Sequence, residues 1–500
     1  MLTALQRARV PASAVSVVVH DLTTGQPVLH WQEHEAQNPA SLAKLLTTAA
    51  ALDRLGPAWR WSTPVWLTGP LRDGVLEGSL FIKGSGDPTL VLERVWLLLR
   101  RVQALGVREI RGDIVLDGSA FAVPDTHPGE FDGEPLRPHN VQPAALLLNH
   151  RSVVYSFLPD TTAGVARVAV EPLLVGTVDR SVPMAAGPCG DWRTALKAGF
   201  EPDRTRFAGA YATACGELAW PVADPQPATY DARLVAALWR ELGGQLQGRV
   251  REGLAPTDAP PSFEWRSPPL AEVVRDINKF SNNVMAQQLF LTLALQAAPQ
   301  QPATPEAARE LLARWVAERA GEPLLAAGSR APAAARGGTR RPPSSRPQAA
   351  LPPARPADAA ATPAARVQTP LPSAVAAGEP VIDNGSGLSR SSRISAQQLA
   401  RLLLQVYDSP VMSELMSSLP ISGLDGTLRR SRATPGRAHL KTGSLRDVNG
   451  IAGYVLSDSG RRYVLVAIVN HPQAGAARPA LDALVQWTLR DAPPRGTGSP

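Results

Sequence analysis

The sequence contains only two cysteines in 500 residues, which excludes a disulfide-stapled scaffold and a four-cysteine zinc site. Aromatic residues make up 5% of the chain, and no apolar run is long enough to cross a bilayer. No positively charged stretch, apolar stretch and cleavage site precede the first strand-like segment, Ala14-Val15-Ser16-Val17-Val18-Val19, so no leader is read in this sequence. Charge of one sign is also scarce once it is located. The net charge is +7, but residues 328–370 hold seven Arg against one Asp, a surplus of six, which leaves about +1 for everything else. The body is therefore near neutral, and no nucleic acid partner is expected. The 44% hydrophobic content and the length suffice for two or three domains with a sizeable core.

What is present begins at Asn38-Pro39-Ala40-Ser41-Leu42-Ala43-Lys44. Ser41 and Lys44 stand three residues apart, so on a helix they share a face. Asn38 suits a helix cap and Pro39 the first helical position, which puts Ser41 in the first turn beside free N–H groups. The following run, Leu45 to Leu52, is apolar almost all round and predicts a buried helix that stops at Gly56-Pro57. A lysine at the buried end of such a helix requires an explanation.

Two further short motifs supply one. Ser281-Asn282-Asn283 opens a helical stretch, and Lys441-Thr442-Gly443 immediately precedes a predicted strand pair around Ser457-Asp458-Ser459-Gly460. Each motif alone is common. In this order and these contexts they match the motif trio of β-lactamases and penicillin-binding proteins. Amide cleavage needs a nucleophile, a base, donors for the oxyanion and an acid for the leaving amine. Ser41 is the candidate nucleophile. Lys44 is the candidate base, its amine kept neutral by burial and by a second cation, Lys441.

On these residues the chain resembles the class C low-molecular-mass penicillin-binding proteins, serine D-alanyl-D-alanine carboxypeptidases and endopeptidases. The resemblance extends to Phe81-Ile82-Lys83-Gly84-Ser85-Gly86-Asp87-Pro88, to Asp383-Asn384-Gly385-Ser386-Gly387-Leu388-Ser389-Arg390, to Gly426-Thr427-Leu428 and to the run from Lys441 to Tyr454. The long interval between Ser41 and Ser281 matches a large insertion found in that group. The resemblance implies that Ser281 relays a proton, Asn283 holds the substrate amide, and Lys441 and Thr442 receive a terminal carboxylate. It implies further that Gly443 lets the substrate approach the strand, and that the N–H groups of Ser41 and Ser444 form the oxyanion hole. It implies no cofactor and no metal ion; the partners are peptidoglycan stem peptides and β-lactams. Many relatives have Asp where Asn282 stands. A slow peptidoglycan-binding scaffold and a β-lactamase or esterase on the same fold remain as alternatives.

The fold class that follows is mixed α/β: an antiparallel sheet flanked by helices, of the β-lactamase/transpeptidase type, with a strand-rich insertion. Residues 1–63 and 226–500 are assigned to the discontinuous catalytic domain, 64–225 to the insertion, and 328–370 to an Arg/Pro/Ala-rich disordered segment. For that segment a tether to anionic polymers, an inert insertion and a frame-shifted coding stretch are the three readings. The helices near Ala480–Leu489 and Ser395–Tyr407 are expected on the sheet, with the Ser41 helix beneath its other side. A substrate outside the membrane implies a periplasmic protein, with peripheral wall or membrane association left open. Cys189 and Cys215, flanked by turn residues, either pair or remain buried thiols. Asp113 and Asp117 in the insertion are read either as turn formers or as contacts to a cationic peptide side chain.

Overall fold

A computed structural model of the protein describes residues 1–174, 176–201, 203–320 and 380–491. The expected disordered segment, 328–370, lies outside the described residues. The described residues form one compact unit.

Its centre is a five-stranded antiparallel sheet made from both ends of the chain: β1 (Val15–Asp21), β2 (Pro27–Trp31), β3 (Ala438–Leu445), β4 (Val448–Leu456) and β5 (Arg462–Asn470). The order is β2-β1-β5-β4-β3. β1 runs against β5 from Val15 opposite Val469 to Asp21 opposite Tyr463, which joins the N-terminal hairpin to the C-terminal one. β3 is an edge strand, so one side of its backbone is free of a neighbouring strand.

Both faces of the sheet are covered, which explains why β1 reads as a nearly continuous apolar run. On one face pack α1 (Lys44–Leu55), α2 (Leu270–Phe280), α3 (Asn283–Ala297) and α4 (Ala396–Tyr407). On the other lie α5 (Arg478–Leu489) and the N-terminal helix Leu2–Arg7. The expectation for the 395–407 helix is corrected here: α4 shares the face of the Ser41 helix. Its stripe of Leu399, Ala400, Leu403 and Val406 meets Val18, Tyr454, Val464 and Val466, and the Tyr454 hydroxyl donates to the Leu403 carbonyl at 2.8 Å. Ser395 caps this helix in a reciprocal box with Gln398.

A second core lies in the inserted region. It gathers Ile82, Leu98, Ile114, Phe157, Val168 and Trp239 between small sheets and the helix Leu92–Ala104. The run Leu76–Ile82 is divided between two strands, Val75–Leu76 and Leu80–Lys83, in different sheets. Gly78 separates them: a Cβ there would stand 1.8 Å from the Thr68 carbonyl oxygen. The segment 226–266, expected with the catalytic domain, packs into this second core through Tyr230, Leu234, Trp239 and Phe263. Strand Phe263–Arg266 pairs with Ser62–Leu67, so the chain crosses over only at α2. Cys189 and Cys215 are joined by a disulfide in this region. Asp113 pairs with Arg251 at 2.5 Å, and Asp117 is buried, accepting from the N–H groups of Ser119 and Ala255. Both therefore hold loops of the insertion.

Candidate active site

Ser41 sits on a 3-10 turn, Ala40–Ala43, that leads directly into α1. The sequence predicts a helix starting at Pro39; the turn is tighter because Ala40 has a positive φ of 47°. Asn38 fixes it from both sides. Its Oδ1 accepts from the Ala40 N–H at 2.8 Å and its Nδ2 donates to the Ser389 carbonyl at 2.9 Å, while its N–H and C=O bond the Asn470 side chain. Gly443 lets β3 press against this turn, since a Cβ there would lie 2.7 Å from the Pro39 carbonyl oxygen. The glycine that the sequence reading assigned to substrate approach thus serves first to seat the Ser41 turn.

Lys44 is completely buried. Its Nζ lies 2.9 Å from Ser41 Oγ, 2.6 Å from Asn283 Oδ1 and 2.5 Å from the Ser386 carbonyl oxygen. Burial, and then the neighbouring Lys441, hold its pKa well below the ordinary lysine value. A neutral amine has two N–H donors and one lone pair. In its free-base form the amine gives its two donors to the two carbonyl oxygens and turns its lone pair to the Ser41 hydroxyl. That is the arrangement of a general base with its nucleophile.

Ser386 was not singled out by sequence reasoning. Its carbonyl is aimed by the loop Asp383–Arg390, in which Asn384 Oδ1 accepts from the Ser386 N–H and hydroxyl and from the Gly387 N–H. Gly387 has φ of 79°, and a Cβ on it would sit 1.8 Å from the Ala40 carbonyl oxygen, so only glycine brings this loop against the Ser41 turn. The signal available in the sequence was the Asn-Gly-Ser-Gly turn.

Ser281 occupies the left-handed C-terminal position of α2, with φ of 57° and ψ of 37°. Strain of this kind in a non-glycine residue needs surrounding support. Here α3 begins at once: Asn282 is its N-cap, accepting from the Met285 N–H at 3.1 Å, and Asn283 is its first residue. Asn and Asp cap equally well, so the start of α3 admits either residue at this position. Lys441, also fully buried, donates to Ser281 Oγ and to the Thr442 carbonyl, both at 2.9 Å. Burial lowers its pKa to about 7.

The Thr442 hydroxyl donates to Thr427 Oγ1 at 2.7 Å. Thr427 is a second residue the sequence reading did not assign, although Gly426-Thr427-Leu428 was noted there. Its loop is docked on the end of α2: Lys279 pairs with Asp425 at 2.6 Å, and Gly426 lies so close to the Lys279 carbonyl that a Cβ would meet it at 2.5 Å.

The structure thus brings two hydrogen-bonded groups, Ser41–Lys44–Asn283 and Ser281–Lys441–Thr442, to one cleft, with Ser444 on its rim. Ser41, Ser281 and Ser444 are shared by two cavities. One, of about 410 Å³, contains Thr427 and Thr442. The other, of about 690 Å³, contains Asn283, Phe131, Asp132, His139, Arg390 and Arg446.

A serine and a fully buried lysine beneath an edge strand define the penicillin-recognising serine peptidases as the class. The chain belongs to the D-Ala-D-Ala carboxypeptidase 3 (S13) family, whose model matches residues 2–320 and 354–490. It is 27% identical to a D-alanyl-D-alanine carboxypeptidase of Actinomadura sp. strain R39, over 95% of this chain and 81% of that protein. It is 21% identical to the D-alanyl-D-alanine carboxypeptidase DacB of Haemophilus influenzae, over 93% and 86%. Among solved structures it resembles penicillin binding protein 4 (dacB) of Haemophilus influenzae, with TM-score 0.68 and 20% identity over 97% of this chain and 99% of that one. A penicillin G-acylated predatory endopeptidase of Bdellovibrio bacteriovorus, in complex with an immunity protein, matches with TM-score 0.51 and 14% identity over 95% and 92%. These likenesses carry the mixed α/β fold. Among the described residues no helix is long and apolar enough to cross a membrane.

Proposed function

We propose that the protein is a D-Ala-D-Ala carboxypeptidase and endopeptidase of peptidoglycan peptides that works through an acyl-enzyme on Ser41 and is inhibited by β-lactams. The observation that carries this is the fully buried Lys44 amine, held between two carbonyl oxygens with Ser41 Oγ 2.9 Å from its Nζ. Ser41 Oγ attacks the carbonyl carbon of the penultimate D-Ala as its proton passes to Lys44 Nζ. The N–H groups of Ser41 and Ser444 receive the oxyanion. Lys44 and Lys441 then deliver a proton through the Ser281 hydroxyl to the departing amine. Asn283 orients the acyl-side amide, and Lys441, Thr442 and Thr427 face the terminal carboxylate. Water cleaves the ester and frees Ser41.

The family and the relatives named above support this reading, as does the penicillin G adduct of the Bdellovibrio protein. A pocket kept only for recognition has no use for two dehydrated lysines. The cysteine pair fits an oxidising compartment, which supports placing the enzyme in the periplasm. The test is labelling with a fluorescent penicillin followed by intact-mass analysis. Wild type should gain one covalent adduct and Ser41→Ala none; an adduct of undiminished yield on Ser41→Ala would overturn the assignment.

A further inference from the structure

Thr427 stands between two cavities. On one side is the cleft with Ser41, Ser281 and Thr442; on the other is a cavity of about 330 Å³ lined by Phe280, Gly426, Thr427, Arg429, Arg430 and Arg478. Thr427 and Arg478 line both, so the two lie side by side.

The lining of the smaller cavity is unusual in two respects. Arg429, Arg430 and Arg478 are exposed, and none of the three forms an ion pair or donates a side-chain hydrogen bond among the described residues. Arg390, on the cavity of about 690 Å³, is by contrast paired with Asp447 at 2.8 Å. Guanidinium groups cannot shed their charge near neutral pH, so three of them at one cavity make a fixed positive field that an anion relieves. Phe280, directly before Ser281, is 66% exposed although apolar. The site is therefore built for an anionic chain with apolar segments.

Its position says which part of a substrate that is, given the peptidase reading proposed above, on which this inference rests. Thr442 and Thr427 face the carboxylate of the residue that supplies the leaving nitrogen. A group lying beyond Thr427 is thus borne by the leaving side of the scissile bond. A terminal D-alanine has nothing to place there. A peptide joined through a side-chain amine has further residues and further carboxylates. The cavity of about 690 Å³, which shares Phe280, carries both signs, Asp132 beside Arg390 and Arg446, and offers no such one-signed field.

We propose that the Phe280–Arg429–Arg430–Arg478 cavity binds the carboxylate-bearing peptide on the leaving side, and that cross-linked peptides are therefore preferred over single terminal D-alanine residues.

The test uses the full chain and two synthetic substrates with one common acyl peptide. In the first, the leaving amine belongs to a peptide bearing two carboxylates beyond the one next to the scissile bond; in the second, those two are amidated. Wild type should hydrolyse the first with kcat/KM about tenfold higher, mainly through KM, and the preference should fade as ionic strength rises. The Arg429→Ala/Arg430→Ala double variant should lose the preference, and Arg429→Lys/Arg430→Lys should keep most of it. Equal hydrolysis of both substrates by wild type, or a preference retained by the alanine variant, overturns the proposal. Penicillin acylation, run in parallel, separates the two layers. With acylation intact and the preference absent, only the arginine site fails. With acylation absent from the folded wild type, the peptidase reading fails with it.

Discussion

The interior of the site and its rim handle positive charge in opposite ways. Inside, the cations are lysines: Lys44 and Lys441 are wholly buried and Lys279 almost so. At the rim they are arginines, exposed and fully charged. The chain has only five lysines, at 44, 83, 197, 279 and 441, so three of the five are in or against the site. An ammonium can surrender its proton when water is removed, whereas a guanidinium cannot. Burial therefore turns a lysine into acid–base machinery, and exposure leaves an arginine as a means of recognition.

Exchanging the residue types breaks this comparison most directly at Lys44. Lys44→Arg keeps a cation but supplies no base, and penicillin acylation should fall by about 10³-fold or more; acylation within tenfold of wild type would show that Lys44 is not the base. A smaller effect belongs to Lys441. Its folded pKa of about 7 lies below the ordinary 10.5, so the folded protein loses this proton as pH rises through about 7. For a carboxylate-bearing substrate KM should consequently rise by about tenfold between pH 6 and 9, while an otherwise identical methyl ester shows no such rise. The same displacement has a sign for stability. Between about 7 and 10.5 the unfolded chain holds the proton that the folded one lacks, so this group's contribution to stability rises with pH across that window. The smallest effect is expected at Lys279, which forms an ordinary ion pair with Asp425. Lys279→Arg should leave the acylation rate within about threefold, since an arginine serves there; Lys279→Ala, which frees the Thr427 loop, should raise KM for the carboxylate substrate more than it lowers kcat.

Much of this site was legible before folding was considered. Ser41, Lys44, Ser281, Asn283 and Lys441 stand in short motifs whose residue types state their chemistry, and the structure bonds Lys44 to Ser41 and Asn283, and Lys441 to Ser281. The sheet was legible too, because β1, β4 and β5 are apolar runs with turns between them. What was misread depended on distant partners. The stripe on α4 states that the helix is buried but not which face of the sheet buries it. Tyr230 and Trp239 state that a helix has a core, and only packing against Leu98 and Phe263 tells which core. Gly443 is glycine because of Pro39, some 400 residues earlier in the chain.

By itself the sequence determined the reacting groups, the order of the motifs and the local caps, since nucleophilicity, basicity and capping are properties of residue types and near neighbours. Only the tertiary structure decided that the Lys44 amine is held well below its ordinary pKa and that it stands against Ser41 Oγ. Those follow from removing water around an amine and placing the Ser386 and Asn283 carbonyl oxygens against it, and both partners are hundreds of residues away along the chain.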